Sequence, residues 1–235
     1  MEDIMNENCT QRFSGAVWFE MLKYQHANIV GLGGIGSWTS FAIGKLGVKS
    51  INLIDYDVVS PENMAGQMYF DSLIGQSKVV SMRRVLEAFR VISWTGCYRE
   101  RVTRNKVFSG HVISCLDNME SRREVYEAWK HNVDSKSKSV FIDGRLSAEM
   151  YQIICMESSE KENMERYEEQ YLFSDAEAEE QICSYKQTTF MAMQIGGMIA
   201  NVFVNKLCQV YMQSERYVPF FMEYRGPLMT TKFIE

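Results

Sequence analysis

The stretch that decides the fold is Ala27-Asn28-Ile29-Val30-Gly31-Leu32-Gly33-Gly34-Ile35-Gly36. Residues 27–31 are a short apolar run that stops at glycine, which reads as a buried strand. Residues 35–46, IGSWTSFAIGKL, carry helical spacing. Between them Gly31-Leu32-Gly33-Gly34-Ile35-Gly36 fits G-x-G-x-x-G. Glycines there permit a tight turn and let backbone N–H groups approach a phosphate. The helix N-terminus adds partial positive charge. VKSINLID (48–55) reads as a second strand ending in Asp55, 19 residues past Gly36, where a carboxylate can accept from ribose hydroxyls. Alone, this unit predicts a bound nucleotide, with NAD as the first candidate.

The alternation continues outward. QSKVVSMRRVLEAFRV (76–91) is an amphipathic helix and WTGCYRE (94–100) a third strand. HVISCLD (111–117) is a fourth strand, MESRREVYEAWKHN (119–132) a helix, and SVFIDGRL (139–146) a fifth strand. Apolar strands alternating with helices predict a Rossmann-like α/β fold, a mostly parallel sheet with helices on both faces. AEMYQIICME (148–157) alternates and reads as a strand outside the parallel set. Residues 187–211 form a long apolar helix, in which Met191, Met193 and Met198 read as core filler and Gly196-Gly197 allows close packing. FFMEYRGPLMTTKFIE (220–235) reads as two antiparallel strands around Gly226-Pro227.

Composition narrows the function classes. The chain has 235 residues, 46% hydrophobic and 23% charged, enough for a full core in one domain. The net charge of −5 gives no basic field for nucleic acid. No apolar run is long enough to span a membrane, and MEDIMNENCTQRF is not a signal peptide. Six cysteines lie far apart with no CxxC, so neither structural zinc nor a disulfide scaffold is expected, and a reducing cytoplasm is the default location. Residues 157–180 carry ten carboxylates against Lys161 and Arg166, which reads as a solvated helix face or loop.

The residues after the glycine loop turn the reading away from NAD. Asp55-Tyr56-Asp57-Val58-Val59 is followed by Ser60, Asn63 and Gln67, then by Lys78 at the start of a helix. Asp117-Asn118 ends the fourth strand, with Arg122 five residues after Asp117. This ordered set resembles the E1-like ThiF/MoeB/HesA superfamily of ATP-dependent adenylyltransferases. The resemblance covers residues 12–150 well and 180–210 weakly. It implies one adenylation domain over 1–235, with an acidic crossover insertion at about 150–185. It also implies an activity that joins a C-terminal carboxylate to the α-phosphate of ATP. Gly31, Gly33, Gly34, Gly36, Asp57, Asn63 and Gln67 would bind the nucleotide and Asp55 the ribose. Lys78 would neutralise phosphate charge, and Asp117 would hold Mg²⁺. Arg122, inside a helix, is read as fixing Asp117 or its helix. The partner implied is a small ubiquitin-like protein or peptide with a free C-terminal carboxylate, and the assembly implied is a homodimer.

Two positions depart from the pattern. The family carries arginine where Gly66 stands, and an RYxR motif where Arg12-Phe13-Ser14-Gly15 keeps only the first arginine. Lost cations remove charge stabilisation in the transition state, so reduced activity is expected unless other cations serve. Arg145, in Ile142-Asp143-Gly144-Arg145, is such a candidate, and a structural salt bridge is equally open to it. Cys183, in Gln181-Ile182-Cys183-Ser184, resembles the segment whose thiol accepts the acyl group in thioester-forming members. Lys186 and the helix beginning near Gln187 could lower its pKa, and a buried, inert Cys183 is the alternative. The competing readings are an NAD-dependent oxidoreductase, which leaves Lys78 and Asp117-Asn118 without a role, and a catalytically weak nucleotide-binding subunit of an E1-like heterodimer.

Overall fold

The computed structural model describes residues 12–13, 15–91, 93–133, 137–173 and 187–235. Its eight strands are β1 (His26–Val30), β2 (Ser50–Ile54), β3 (Trp94–Tyr98), β4 (His111–Ser114), β5 (Val140–Ser147), β6 (Met150–Glu157), β7 (Phe221–Arg225) and β8 (Thr230–Ile234). They form one sheet in the order β3-β2-β1-β4-β5-β6-β7-β8. The five strands from β3 to β5 run parallel, and β6, β7 and β8 continue the sheet antiparallel.

Side chains alternate along a strand, so a strand covered on both faces is apolar at most positions, and a polar residue buried there needs a partner. Ile29, Ile113 and Ile142 enter one core; their neighbours Val30, Val112 and Phe141 enter the other. The helices are α1 (Phe19–Leu22), α2 (Gly34–Lys45), α3 (Lys78–Ala88), α4 (Met119–Asn132), α5 (Lys161–Gln170) and α6 (Thr189–Met212). Ile43 of α2, Val85 of α3 and Ile195 and Phe203 of α6 cover the first face. Val125 and Trp129 of α4 and Tyr167 of α5 cover the second. No helix among the described residues is long and apolar enough to cross a membrane.

Several local readings change. Of the three methionines taken as core filler, Met191 is buried but Met193 is 49% exposed. Only one glycine of the pair serves packing. A β-carbon on Gly196 would stand 2.6 Å from Trp38 Cβ, whereas Gly197 faces open space. The acidic stretch begins with a buried carboxylate rather than a solvated one. Glu157 is inside the protein, accepting from the hydroxyls of Ser158 (2.8 Å) and Ser159. Glu160 pairs with buried Lys206 of α6 (2.5 Å) and Glu168 with Lys130 of α4 (2.5 Å). The cations that balance this stretch come from other helices, which a count along the sequence misses. Asp175, Glu177, Glu179 and Glu180 lie outside the described residues.

Candidate active site

The chain leaves β1 for β2 on one side, while β4 joins β1 on the other. Loops after β1 and β4 therefore diverge at the carboxyl edge, and the crevice between them is where open α/β sheets bind ligands. The glycine loop fills its floor. Gly31 has φ +86°, and an added β-carbon would lie 2.7 Å from the Cys115 carbonyl oxygen beside it. A β-carbon on Gly36 would lie 1.8 Å from the Gly31 carbonyl oxygen, so the first turn of α2 rests directly on the loop's start. Gly33 is different: the nearest atom to its β-carbon position is Gln67 Nε2 at 3.9 Å. Packing does not demand glycine there; its backbone, at φ −75° and ψ −148°, favours glycine and leaves the face above it open to a ligand.

Asp55 sits at the exit of β2. Its Oδ2 accepts from the Leu32 backbone N–H (2.7 Å) and its Oδ1 from that of Asp57 (2.8 Å). It thus ties the glycine loop to the segment after β2. Burial pushes its carboxyl above the ordinary value, while Lys78 and the two N–H donors pull the other way. Lys78 opens α3, is buried, and sets its Nζ 3.0 Å from Asp57 Oδ2. Tyr69 donates its hydroxyl to the Leu32 carbonyl (2.8 Å), pinning the loop from above.

The segment after Asp57 forms a short 3-10 turn, Pro61–Asn63. Asn63 Oδ1 accepts from the Ser60 N–H (3.0 Å), so its carboxamide caps this turn. The chain then runs under α2: Trp38 Nε1 donates to the Gly66 carbonyl (3.2 Å) and Met68 N–H to Ser37 Oγ (3.0 Å). Gln67 Oε1, on the side chain nearest Gly33, and Ser77 Oγ, next to Lys78 in sequence, are buried without a protein partner. Buried polar atoms are ordinarily satisfied, so such orphans suit water or a ligand. The Ser77 hydroxyl can donate to a phosphate oxygen beside the open face of Gly33, whereas the Gln67 carbonyl oxygen, an acceptor, calls for water or a ligand hydroxyl or amine.

Asp117 follows β4 and is exposed, with Asn118 Nδ2 donating to its Oδ1 (3.2 Å). Asn118 is the N-cap of α4, its Oδ1 accepting from the Ser121 N–H (2.8 Å). Arg122 lies behind Asp117, donating to the Leu116 carbonyl, to Asp143 and to the Gly144 carbonyl (3.1 Å). It holds the turn that carries Asp117. Asp143 is fully buried and also pairs with Arg145 Nε (2.8 Å) and the Tyr167 hydroxyl (3.0 Å). Burial would raise its carboxyl, but the two guanidiniums win and hold it below the ordinary value. Arg145 therefore makes the structural salt bridge, and its Nη2 donates to the Tyr171 carbonyl (2.8 Å). Sequence reading passed over Asp143, although a carboxylate within an apolar strand was a legible signal of a buried ion pair.

Magnesium takes hard oxygen ligands, commonly one or two carboxylates plus substrate phosphates. Asp117 offers one exposed carboxylate. No group of three or more His, Cys, Asp or Glu able to hold a metal ion occurs among the described residues. This donor set suits an ion carried with phosphates better than a protein-built cage. Cys183 and Lys186 lie outside the described residues. Of the two altered arginine positions, Gly15 is exposed with open space around it. Gly66 is covered: a β-carbon there would stand 2.6 Å from Gln187 Nε2.

The profile described as the ThiF family matches residues 6–235. The chain belongs to the ThiF family. Among ThiF-type relatives, the molybdopterin-synthase adenylyltransferase of Salmonella typhimurium is 30% identical over 112 residues, 45% of this chain and 45% of that protein. The tRNA threonylcarbamoyladenosine dehydratase 2 of Saccharomyces cerevisiae is 26% identical over 131 residues, 52% of this chain and 29% of that protein. The matched segments are thus less than half the length of these relatives. The Escherichia coli MccB structure with AMPCPP and MccA shares the fold at TM-score 0.72 and 13% identity, over 97% of this chain and 71% of that one. The Rossmann-like ThiF fold expected from the glycine loop, with its antiparallel C-terminal strands, is the fold observed.

Proposed function

We propose that this ThiF-family chain is one adenylation domain that uses ATP and Mg²⁺ to activate the C-terminal carboxylate of a small ubiquitin-like protein or peptide. The observation that supports it most is the glycine loop at the switch point, open over Gly33 and bordered by Asp55 and the Lys78–Asp57 pair. In this reading a carboxylate oxygen of the partner attacks the α-phosphorus of ATP. An acyl–phosphate bond forms, the bond from the α-phosphorus to the bridging oxygen breaks, and pyrophosphate leaves with that electron pair. Asp55 orients the ribose. Lys78 faces the charge that grows on the phosphate oxygens as the bond breaks. Mg²⁺, when bound, neutralises phosphate oxygens, with Asp117 as its protein ligand and Arg122 as the residue that positions Asp117. Asn63 and Gln67 border the phosphate side.

The finer parts of the reading are an acceptor thiol at Cys183, a homodimer and a cytoplasmic setting. Phe190 and Met193, one turn apart and exposed on α6, support an interface between copies. Free Cys97, Cys115, Cys155 and Cys208 suit a reducing compartment. ATP–pyrophosphate exchange with candidate carboxylate partners tests the activity. Calorimetric titration should give ATP–Mg²⁺ binding much tighter than NAD; tighter NAD binding would sink the reading. Binding without exchange would favour the silent heterodimer subunit. Loss of a reducible partner adduct in Cys183→Ser, with exchange intact, would assign the thiol. A monomer of 27.3 kDa in light scattering at micromolar concentration would exclude the homodimer.

A further inference from the structure

We propose that Tyr69 is a positioning residue of this site, whose hydroxyl fixes the Leu32–Gly33 peptide so that the Gly33 N–H faces the crevice and donates to the phosphate chain. The proposal rests on the nucleotide reading above and adds to it a side chain that itself touches no ligand. Tyr69 follows the turn at Gly66 and is buried in the first core, with Ile43 of α2 and Val85 of α3. From that side its hydroxyl donates to the Leu32 carbonyl (2.8 Å). The Leu32 N–H donates to Asp55 Oδ2 (2.7 Å). Both backbone groups of Leu32 are therefore tied, one from the core and one at the exit of β2. Helix α2 holds the Tyr69 segment in turn, because the Met68 N–H donates to Ser37 Oγ (3.0 Å) and Trp38 Nε1 to the Gly66 carbonyl (3.2 Å).

The direction of the next N–H follows from peptide geometry. The Leu32–Gly33 bond is trans, so its C=O and N–H point opposite ways. The carbonyl points at Tyr69 in the first core, so the Gly33 N–H points away from that core. On that opposite side the loop after β4 leads into α4, which covers the second face, and the crevice lies between. Among the described residues nothing accepts from the N–H groups of Gly33, Gly34 or Ile35. Unpaired N–H groups at the start of a helix are ready donors to an anion. Gly33 has no β-carbon to restrain this peptide, so the backbone alone leaves it free to turn over. A turned peptide would set the Leu32 carbonyl oxygen, an acceptor, against the phosphates. It would also leave the Tyr69 hydroxyl buried without an acceptor, which costs free energy. Burial and the carboxylates of Asp55 and Asp57 hold this hydroxyl well above its ordinary pKa of 10.0, so it stays a donor.

The test compares the full wild-type chain with Tyr69→Phe, which keeps the ring and removes only the hydroxyl. Calorimetric titration with ATP–Mg²⁺ should give binding roughly tenfold weaker in Tyr69→Phe, the low end of the worth of one hydrogen bond to a charged acceptor. Nuclear magnetic resonance of protein carrying isotope-labelled glycine reads the peptide itself. In the wild type, saturating ATP–Mg²⁺ should move the Gly33 amide proton downfield, as a new hydrogen bond to a phosphate oxygen does. In Tyr69→Phe the same movement should shrink. Unchanged ATP affinity in Tyr69→Phe would overturn the proposal. Weaker binding with the full Gly33 movement at saturation would also overturn it, by assigning the hydroxyl to the architecture of the fold. The wild-type spectra decide without any variant: a Gly33 resonance left in place while ATP binds would overturn the phosphate contact. Wild-type protein that does not bind ATP–Mg²⁺ at all would overturn the nucleotide reading itself.

Discussion

Lys78 holds Asp57 twice: its Nζ lies 3.0 Å from Asp57 Oδ2, and its backbone N–H donates to the Asp57 carbonyl at 3.0 Å. The pair is lopsided. The lysine side chain is 9% exposed and the aspartate side chain 47% exposed, so the ammonium is held near the mouth of the site by a partner that water can replace. A triphosphate, carrying more charge than one carboxylate, competes for that ammonium. Lys78→Ala should lower pyrophosphate exchange roughly 10²–10³-fold, as expected for one electrostatic donor at developing charge. The dissociation constant for ATP should rise by much less, because the charge matters most in the transition state. Exchange kinetics and calorimetry on the same variant read the two effects.

The loop glycines should separate into structural and ligand-facing classes. Gly36→Ala drives a methyl group into the Gly31 carbonyl, 1.8 Å away, and should destabilise the fold by about 1–3 kcal/mol or more in urea unfolding. Gly33→Ala meets only Gln67 Nε2, 3.9 Å away, and should lose less stability than Gly36→Ala while binding ATP–Mg²⁺ more weakly. Equal stability loss in both variants would contradict the division.

Asp143 should behave as a buried hub. Asp143→Ala leaves Arg122 and Arg145 without their shared carboxylate and should cost about 3–5 kcal/mol of stability. The pH dependence has a definite sign. The folded carboxyl titrates below its ordinary value of 3.8. Its contribution is therefore complete above that value and is lost as pH falls through the lower, folded one. Acid titration of the wild type followed by circular dichroism should show this loss, and Asp143→Asn should lack it.

His111 supplies a second, milder acid window. Its Nδ1 accepts from the Val140 N–H (3.1 Å) and its Nε2 donates to Gln25 Oε1 (3.0 Å), which fixes the neutral tautomer. Burial pulls its pKa from 6.5 down to about 4. The unfolded chain therefore binds the extra proton first. The stabilisation is whole above pH 6.5 and drains away between 6.5 and about 4, worth about 3 kcal/mol across that range. Urea unfolding at pH 7 and pH 4.5 should show a loss in the wild type that is much smaller in His111→Gln.

The order of strands and helices was legible because each apolar run and each helix here is locally consistent. Met119–Asn132, for example, has its capping Asn118, an amphipathic face and a basic last turn all in place. The glycine loop was legible for the same reason. What escaped were relations between distant segments. Residues 157–180 read as a solvated acidic run because the counter-charges of Glu160 and Glu168 sit on α6 and α4. Arg145 stands open in the sequence between a nucleotide contact and a salt bridge, because Arg122 and Tyr167 reach Asp143 from distant helices. Gln187 carried no signal at all. A glutamine before a helix is common, and only the folded chain brings it onto Gly34 and Gly66.

Strand β5 belongs to two regimes of time. Along its whole length it pairs with β6 across the two-residue turn Ala148-Glu149, joining Ser147 to Met150. In its first half it also pairs with β4, joining Phe141 to Val112 across the whole of α4. Hairpins close within microseconds, whereas parallel pairing waits for long loops to be ordered. The β5–β6 hairpin therefore has a head start, and it presents the apolar edge of β5 as a template before the nucleotide-binding half has assembled. The crevice lies between β1 and β4, whose register joins Ala27 to His111, so its two walls meet across a far longer stretch of chain than the two-residue turn of the hairpin.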